Sequence, residues 1–228
     1  VILNNNVKYI KSDSTYIIKY NYIMDILTKE EIIILTEDFV KDYMRLYDDS
    51  HSFEHAMRVK NIATRLALSE NLNEDQIFII QLAALTHDIN DSKYNNNNNE
   101  DTQENVLRSF FNNLIEDEAV LENIIHISCN VSLSLELANK NDIRSIELDC
   151  VRDADRIDSL GSMGISRYFT YGIVKRQSNI KSIIENIENR TNILMNNINT
   201  DMGKKISKDK YNIIKMFIED YKDTMLYQ

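Results

Sequence analysis

The sequence predicts an all-α fold. Its 228 residues include no proline and four glycines, so the usual helix breakers are scarce. Apolar side chains recur at helical spacing along most of the chain, and no regular strand-type alternation competes with them. Apolar residues make up 43% and charged residues 27%, which supplies a core and argues against global disorder.

The elements follow in order. Residues 1–24, rich in Asn, Tyr and Ile, read as an N-terminal extension whose structure the pattern does not specify, with the domain over 25–228. From about Leu27, the residues Ile32, Ile33, Leu35, Phe39, Val40, Tyr43, Met44 and Leu46 form the apolar stripe of a first helix. Asp48-Asp49-Ser50 is a turn offering N-caps to a second helix over Phe53–Ser69. A third is expected at Asn73–Asp88, and the Asn95–Asn99 run reads as a loop. Further helices are expected at Thr102–Leu114, Asp117–Cys129, Ser145–Tyr171, Lys181–Asn197 and Asp201–Tyr227. Gly161, Gly164 and Gly172 fall together in one short stretch after Asp155, which suggests close packing there on the second and third helices. No internal repeat is visible.

Charge narrows the function classes. The formal net charge is −10 with no long basic run, which excludes a landing strip for duplex nucleic acid. A small anionic substrate would have to be held locally, by a cation and a few placed Arg or Lys. No apolar run approaches the ~20 residues of a membrane span, and the first residues carry no signal-peptide pattern; the expected location is cytoplasmic. Cys129 and Cys150 form no thiol-ligand motif and read as buried small hydrophobes in a reducing compartment.

Four residues carry the chemistry. His55 shares a stripe with Val59, Ile62 and Leu66; Asp88 ends a second stripe of Ile77, Ile80 and Ala84, with His87 beside it. An acid at the end of a buried stripe costs several kcal/mol unless paired, on the order of the penalty for burying any charge. A shared cation would satisfy both groups. The fourth ligand is an aspartate in Cys150–Asp158, where Asp153 and Asp155 continue different buried stripes about equally well. Two imidazoles and two carboxylates suit one divalent ion: Mn²⁺ as the first expectation, or Fe²⁺, Co²⁺, Ni²⁺ or Mg²⁺. Such an ion can activate water against a phosphorus–oxygen bond.

Three stretches together resemble a known family: Ser50–Val59 (SHSFEHAMRV), Leu85–Lys93 (LTHDINDSK) and Arg152–Ile165 (RDADRIDSLGSMGI), with a weaker fourth at Asn199–Lys205. The chain resembles the HD-domain metal-dependent phosphohydrolase superfamily, and more narrowly its bacterial hydrolases of the nucleoside-triphosphate pyrophosphohydrolase type. The resemblance runs from about Leu27 to the C-terminus. It implies an all-helical domain with the metal between helices, and places the ligand aspartate at Asp155. Departures fall near the expected substrate rim: Ile127–Val131 lacks the family's usual continuation, and Asn95–Asn99 replaces a Gly-containing loop.

The resemblance also implies a role for Asp91, which matches the position of a second acid and would position or deprotonate the attacking water. Lys93, Arg58 and Arg156 are the cations expected at substrate phosphates, with Arg152, Arg167 and Tyr171 at the rim. Arg58 serves equally well as a structural partner for Asp88 or Asp158. Asp158, one turn past Asp155, would orient a ligand histidine or form a plain helix ion pair. His51 and Asp153 are supporting residues around the ligands, and His126 sits on a polar face. The expected function is a mononuclear metal phosphohydrolase acting on a phosphate ester or anhydride of a nucleotide. The alternatives are a cyclic-nucleotide-type phosphodiesterase, for which His126 is the candidate extra ligand, and a catalytically silent metal- and nucleotide-binding module.

Overall fold

The structure is a computed structural model and describes residues 8–12, 15–19, 27–48, 52–90, 102–138 and 144–226, the first two stretches by backbone alone. Helix α1 (Lys29–Tyr43) starts at a capping box, with Thr28 accepting from the Glu31 amide and the Glu31 carboxylate accepting from the Thr28 amide. A 3₁₀ turn, Met44–Leu46, extends it. Helix α2 (Phe53–Ser69) has the bounds that its apolar spacing predicts. Asn71, in the left-handed region at φ 56°, turns the chain after it. Helix α3 (Glu74–Thr86) opens on a second capping box, Asn73 with Gln76, and then buries eight consecutive or near-consecutive residues from Phe78 to Thr86. It is the central helix, covered on all sides.

Helices α4 (Gln103–Phe111), α5 (Glu118–Cys129) and α7 (Ile146–Asp158) are capped by Thr102, Asp117 and Ser145. Between the last two lies α6 (Leu133–Ala138), a short helix the sequence pattern did not reveal. One apolar core joins α1–α5 and α7, with Phe39 of α1 stacked on Phe110 of α4 at 4.0 Å between ring centres. A second core is built from Leu133, Leu160, Ile183, Ile184, Ile187, Leu194, Ile214 and Ile218. It belongs to α8 (Gly161–Val174), α9 (Ile180–Met195) and α10 (Asp201–Met225), with Leu133 from α6.

Two expectations need correction. The single helix expected over Ser145–Tyr171 is two helices, broken at Ser159-Leu160, with Gly161 at φ +68°. That conformation costs an L-residue ~1–2 kcal/mol and glycine little. The glycines do pack closely, but on other partners than expected. A Cβ on Gly164 would stand 2.1 Å from the Ser159 carbonyl oxygen at the break, and one on Gly172 would stand 2.7 Å from Ile183 of α9. In the N-terminal segment, whose structure the sequence pattern left unspecified, β1 (Lys8–Ser12) and β2 (Thr15–Lys19) pair antiparallel in the register Lys8 with Lys19 and Ser12 with Thr15. Its Tyr and Ile content has the strand preference that the helical spacing elsewhere lacks. The body that carries the site is all-α.

Candidate metal centre and the adjoining cavity

Helix α2 packs against both α3 and α7, so the face carrying His55, Ala56, Val59, Ala63 and Leu66 points into the bundle. His55 is fully buried there. His87 and Asp88 follow directly after the last residue of α3, and the chain turns away at Asn90, whose φ is +58°. Three groups hold this end of α3. The Gln103 amide donates to the carbonyls of Thr86 (3.2 Å) and His87 (2.8 Å), and reaches that of Ser128 at 3.4 Å. The Tyr43 hydroxyl donates to Asn90 Oδ1 at 3.1 Å. Thr86 and Ser128 share a hydroxyl–hydroxyl bond of 2.9 Å.

Asp155 arrives from α7, and four side chains converge. His55 Nε2 lies 3.3 Å from Asp88 Oδ2 and 3.5 Å from Asp155 Oδ1. His87 Nε2 lies 3.4 Å from Asp88 Oδ2 and 3.9 Å from Asp155 Oδ1. The donor atoms of His55, His87 and Asp155 all fall within 4.8 Å of one another. Donors about 2.1 Å from one ion stand roughly 3–4 Å apart, so the separations fit a shared cation.

The far side of each ring explains why these nitrogens face inward. His87 Nδ1 bonds the Ala84 carbonyl at 2.8 Å, and His55 Nδ1 bonds Asp158 Oδ2 at 2.8 Å. Each Nδ1 thus carries the proton and each Nε2 presents its lone pair to the cluster, the arrangement a metal-ligating histidine adopts. His87 Nε2 is buried with no hydrogen-bond partner among the described residues. An orphaned acceptor of that kind costs free energy unless something binds it. The acids of the cluster would also hold a proton at His55 Nε2 where no cation occupies that place. Burial and Arg167 oppose a proton on His55, yet hydrogen bonds to Asp155, Asp158 and Asp88 outweigh both and push its pKa up to about 10. Burial would raise the Asp155 carboxyl, but His55 and His87 hold it well below the usual range. Carboxylates that favour a protonated ring this strongly also favour a metal cation, and His55, His87, Asp88 and Asp155 could hold one.

Around the cluster, Asp158 accepts from Arg58 Nε (2.7 Å) and Nη2 (3.1 Å) as well as from His55. Arg58, one of the cations expected at substrate phosphates, therefore has its fork on Asp158. Arg167 donates to Asp158 Oδ2 at 3.0 Å, and its Nη2 stands 3.3 Å from His55 Nε2. Two expected site residues lie elsewhere. Arg156 is 1% exposed, and its guanidinium bonds Glu136 of α6 and the Asn197 carbonyl, so it clamps helices together instead of meeting substrate. Arg152 shares that clamp, donating to the Asn130 carbonyl at 2.9 Å with Glu136 3.6 Å away.

Asp153 also points away from the cluster. Its two oxygens accept from the amides of Asn199 and Thr200 and from the Thr200 hydroxyl, at 2.7–3.0 Å, seating the N-terminus of α10. Its role is to anchor that turn, not to support a ligand, and of the two aspartates it is Asp155 that joins the histidines. His126 bonds the Asn130 side chain on α5 and stands outside the cluster. His51, Asp91, Lys93 and the Asn95–Asn99 loop lie outside the described residues.

Beside the cluster opens a cavity of about 360 Å³, lined on the α8 side by Gly164, Arg167, Tyr168 and Tyr171. Those positions recur at one face of a helix. Arg167 belongs to both places and stands at the junction between them. The wall from α9 contributes Asn186 and Arg190, the segment at α6 contributes Ser132 and Ser134, and Arg176 closes the outer end, 5.2 Å from the Tyr171 ring centre. Burial pushes the Tyr168 hydroxyl up to about 12 against the pull of Arg190 and Arg167, so it stays a protonated donor. Gln103, Tyr168, Asn186, Arg176 and Arg190 were not picked out from the sequence. Arg190 left one signal, a cation at the edge of the stripe Ile183, Ile187, Thr191, Leu194.

The HD domain family profile matches residues 52–160, which spans all four converging residues. YpgQ, an uncharacterized protein of Bacillus subtilis, is 27% identical over 181 residues, covering 76% of this chain and 84% of its own. A crystal structure of YpgQ in complex with ADP superposes with a TM-score of 0.67 at 22% identity, over 84% of this chain and 97% of that one. An HD-superfamily hydrolase from Bacillus thuringiensis superposes with a TM-score of 0.67 at 27% identity, over 88% of this chain and all of that one.

Proposed function

Because the chain carries an HD domain and is accordingly a metal-dependent hydrolase, we propose that it cleaves a phosphate ester or anhydride of a nucleotide, at one divalent ion held by His55, His87, Asp88 and Asp155. The observation that carries the reading is the convergence of those four side chains around the buried Nε2 of His87, which has no hydrogen-bond partner among the described residues. The capture of ADP by the similarly folded YpgQ supports a nucleotide as the substrate. The mixed nitrogen and oxygen donors favour Mn²⁺, with Fe²⁺, Co²⁺, Ni²⁺ and Mg²⁺ as alternatives.

When bound, such an ion supplies Lewis acidity toward a phosphoryl oxygen and lowers the pKa of water. The chain's own residues do the rest. Asp158 fixes the tautomer and direction of His55, and the Ala84 carbonyl does the same for His87. Gln103 holds the backbone that presents His87 and Asp88. Arg167, at the join of cluster and cavity, neutralises charge that builds on the phosphoryl group. Tyr171 forms the wall on which the rest of the substrate lies. Asp91 takes the proton of the attacking water and Lys93 adds a second positive charge at the phosphate. Residues 25–228 form the catalytic domain, with 1–24 as an extension. We place the reaction in the cytoplasm as part of this proposal; among the described residues no helix is long and apolar enough to cross a membrane.

The test is elemental analysis of purified protein coupled to a hydrolysis screen over nucleoside mono-, di- and triphosphates, with products identified. Mn²⁺-loaded protein should release phosphate or pyrophosphate from at least one of them, and EDTA should abolish the release. Bound metal with no release across the whole panel would defeat the catalytic reading and favour the silent binding module. The phosphodiesterase alternative gains no extra histidine from the described residues, since His126 is engaged with Asn130.

A further inference from the structure

The cavity's charge is opposite to that of the chain. Among the described residues its lining contains three arginines and no carboxylate, in a protein of net charge −10. Arg167 is matched by Asp158, and Arg176 lies over Tyr171 at the solvent end. Arg190 is different. It is half-buried, and it forms no ion pair among the described residues. It lines the cavity together with Tyr168, whose hydroxyl feels the positive charge of Arg190 and the negative charge of Asp155 in the cluster. A half-buried guanidinium without a carboxylate is under-compensated, and its planar fork matches phosphate oxygens. The neutral edge of a nucleobase would leave that charge unmatched.

The placement of these groups then matters. Arg167 touches both His55 and the cavity, so a phosphoryl group over the cluster lies next to it. Arg190 and Tyr168 line the same 360 Å³ space as Arg167. We propose that Arg190, with Tyr168 beside it in the cavity lining, binds a second phosphoryl group of the substrate, separate from the one at the histidine–aspartate cluster, and so makes the enzyme count phosphates. This inference rests on the phosphohydrolase reading of the cluster. Ser132 and Ser134, whose hydroxyls bond each other at 2.8 Å, supply neutral donors on the opposite wall.

The experiment compares kcat/KM for ATP, which carries three phosphoryl groups, with that for p-nitrophenyl phosphate, which carries one. In Arg190→Gln the ratio of the two should fall by about 10- to 100-fold, the size of one lost hydrogen bond to a charged group. Arg190→Lys should restore part of it. A ratio unchanged in Arg190→Gln overturns the proposal. If Arg190→Gln does not fold, Tyr168→Phe takes its place, with a smaller drop of several-fold expected and no drop counting against it. Calorimetry on the protein as purified, with inorganic tripolyphosphate and orthophosphate as probes, separates this inference from the catalytic one. Tripolyphosphate binding at least 10-fold tighter than orthophosphate, and weakened in Arg190→Gln, supports the second phosphoryl site even where no substrate is turned over. Equal binding of the two probes by wild type refutes it even if hydrolysis is found.

Discussion

Replacing Asp158 by asparagine tests the site through one carboxylate. Asp158 is almost fully buried and accepts four hydrogen bonds, from His55 Nδ1 (2.8 Å), Arg58 Nε (2.7 Å), Arg58 Nη2 (3.1 Å) and Arg167 Nη1 (3.0 Å). Asparagine keeps the shape but turns one oxygen into a donor. With its NH₂ on the Oδ1 side it meets Arg58 Nε, and on the Oδ2 side it meets His55 and Arg167. Both orientations set donor against donor. Breaking a buried ion pair costs about 3–5 kcal/mol, and the 31% exposure of the Arg58 side chain draws the value to the low end, near 3 kcal/mol. At roughly 2–4 °C per kcal/mol for a chain of this size, the melting temperature should fall by about 6–12 °C. Metal affinity should weaken about 10- to 100-fold, as for other supports of a ligand histidine. Burial would raise the Asp158 carboxyl, but hydrogen bonds from His55 and Arg58 and the charge of His55 and Arg167 hold it well below the usual range. A depressed carboxyl contributes its stability above its unfolded pKa of about 3.9 and loses it as pH falls through the folded value. The gap between wild type and Asp158→Asn should therefore be full at neutral pH and narrow below about pH 4. Thermal melts across pH, with metal titrations at pH 7, measure both. An unchanged melting temperature together with unchanged metal affinity would refute the reasoning.

Other expectations follow from the same geometry. His87→Ala removes one of the converging donors and should lower the metal content found by elemental analysis; wild-type content would take His87 out of the ligand set. Gly161→Ala places a side chain at φ +68° and should cost about 1–2 kcal/mol in urea unfolding. Gly164→Ala should cost more, because its Cβ would stand 2.1 Å from the Ser159 carbonyl; the reverse order would contradict the described break between α7 and α8. Glu136→Gln uncovers the charge of Arg152 and Arg156 and should lower stability by about 3–5 kcal/mol, readable in the same denaturation. A change under 1 kcal/mol would show that solvent or another group already balances the two arginines.

Much of this site could be read from residue spacing, and the failures have physical causes. Helix α2 carries one apolar stripe on an otherwise polar surface, so its bounds and the inward direction of His55 were plain. Helix α7 is buried on most of its circumference. Asp153 and Asp155, two residues apart, point in different directions yet both continue apolar stripes, so periodicity could not choose between them. The choice depends on what each meets: the Asn199-Thr200 turn for one and two histidines for the other. Arg156 was misread for a related reason. An arginine beside a ligand looks like a substrate cation until its partner is known, and that partner, Glu136, sits on α6, which is too short to show a period. The break after Asp158 was missed because Gly161 was weighed as a tolerated interior glycine, not as a residue in the left-handed region. Arg190 became meaningful only when α8 folded over it.

The two apolar cores have a bearing on how such a protein changes over time. The side chains that could hold an ion stand on the larger one, and most of the cavity wall stands on the smaller, with the Ser159–Gly161 elbow and the Asp158–Arg167 pair as the links. On the proposed function, substitutions in α8 and α9 would re-tailor what is recognised while leaving the clustered histidines and aspartates as they were. Grafting the α8–α9 hairpin of one such protein onto another is the natural way to move a preference without rebuilding a catalyst.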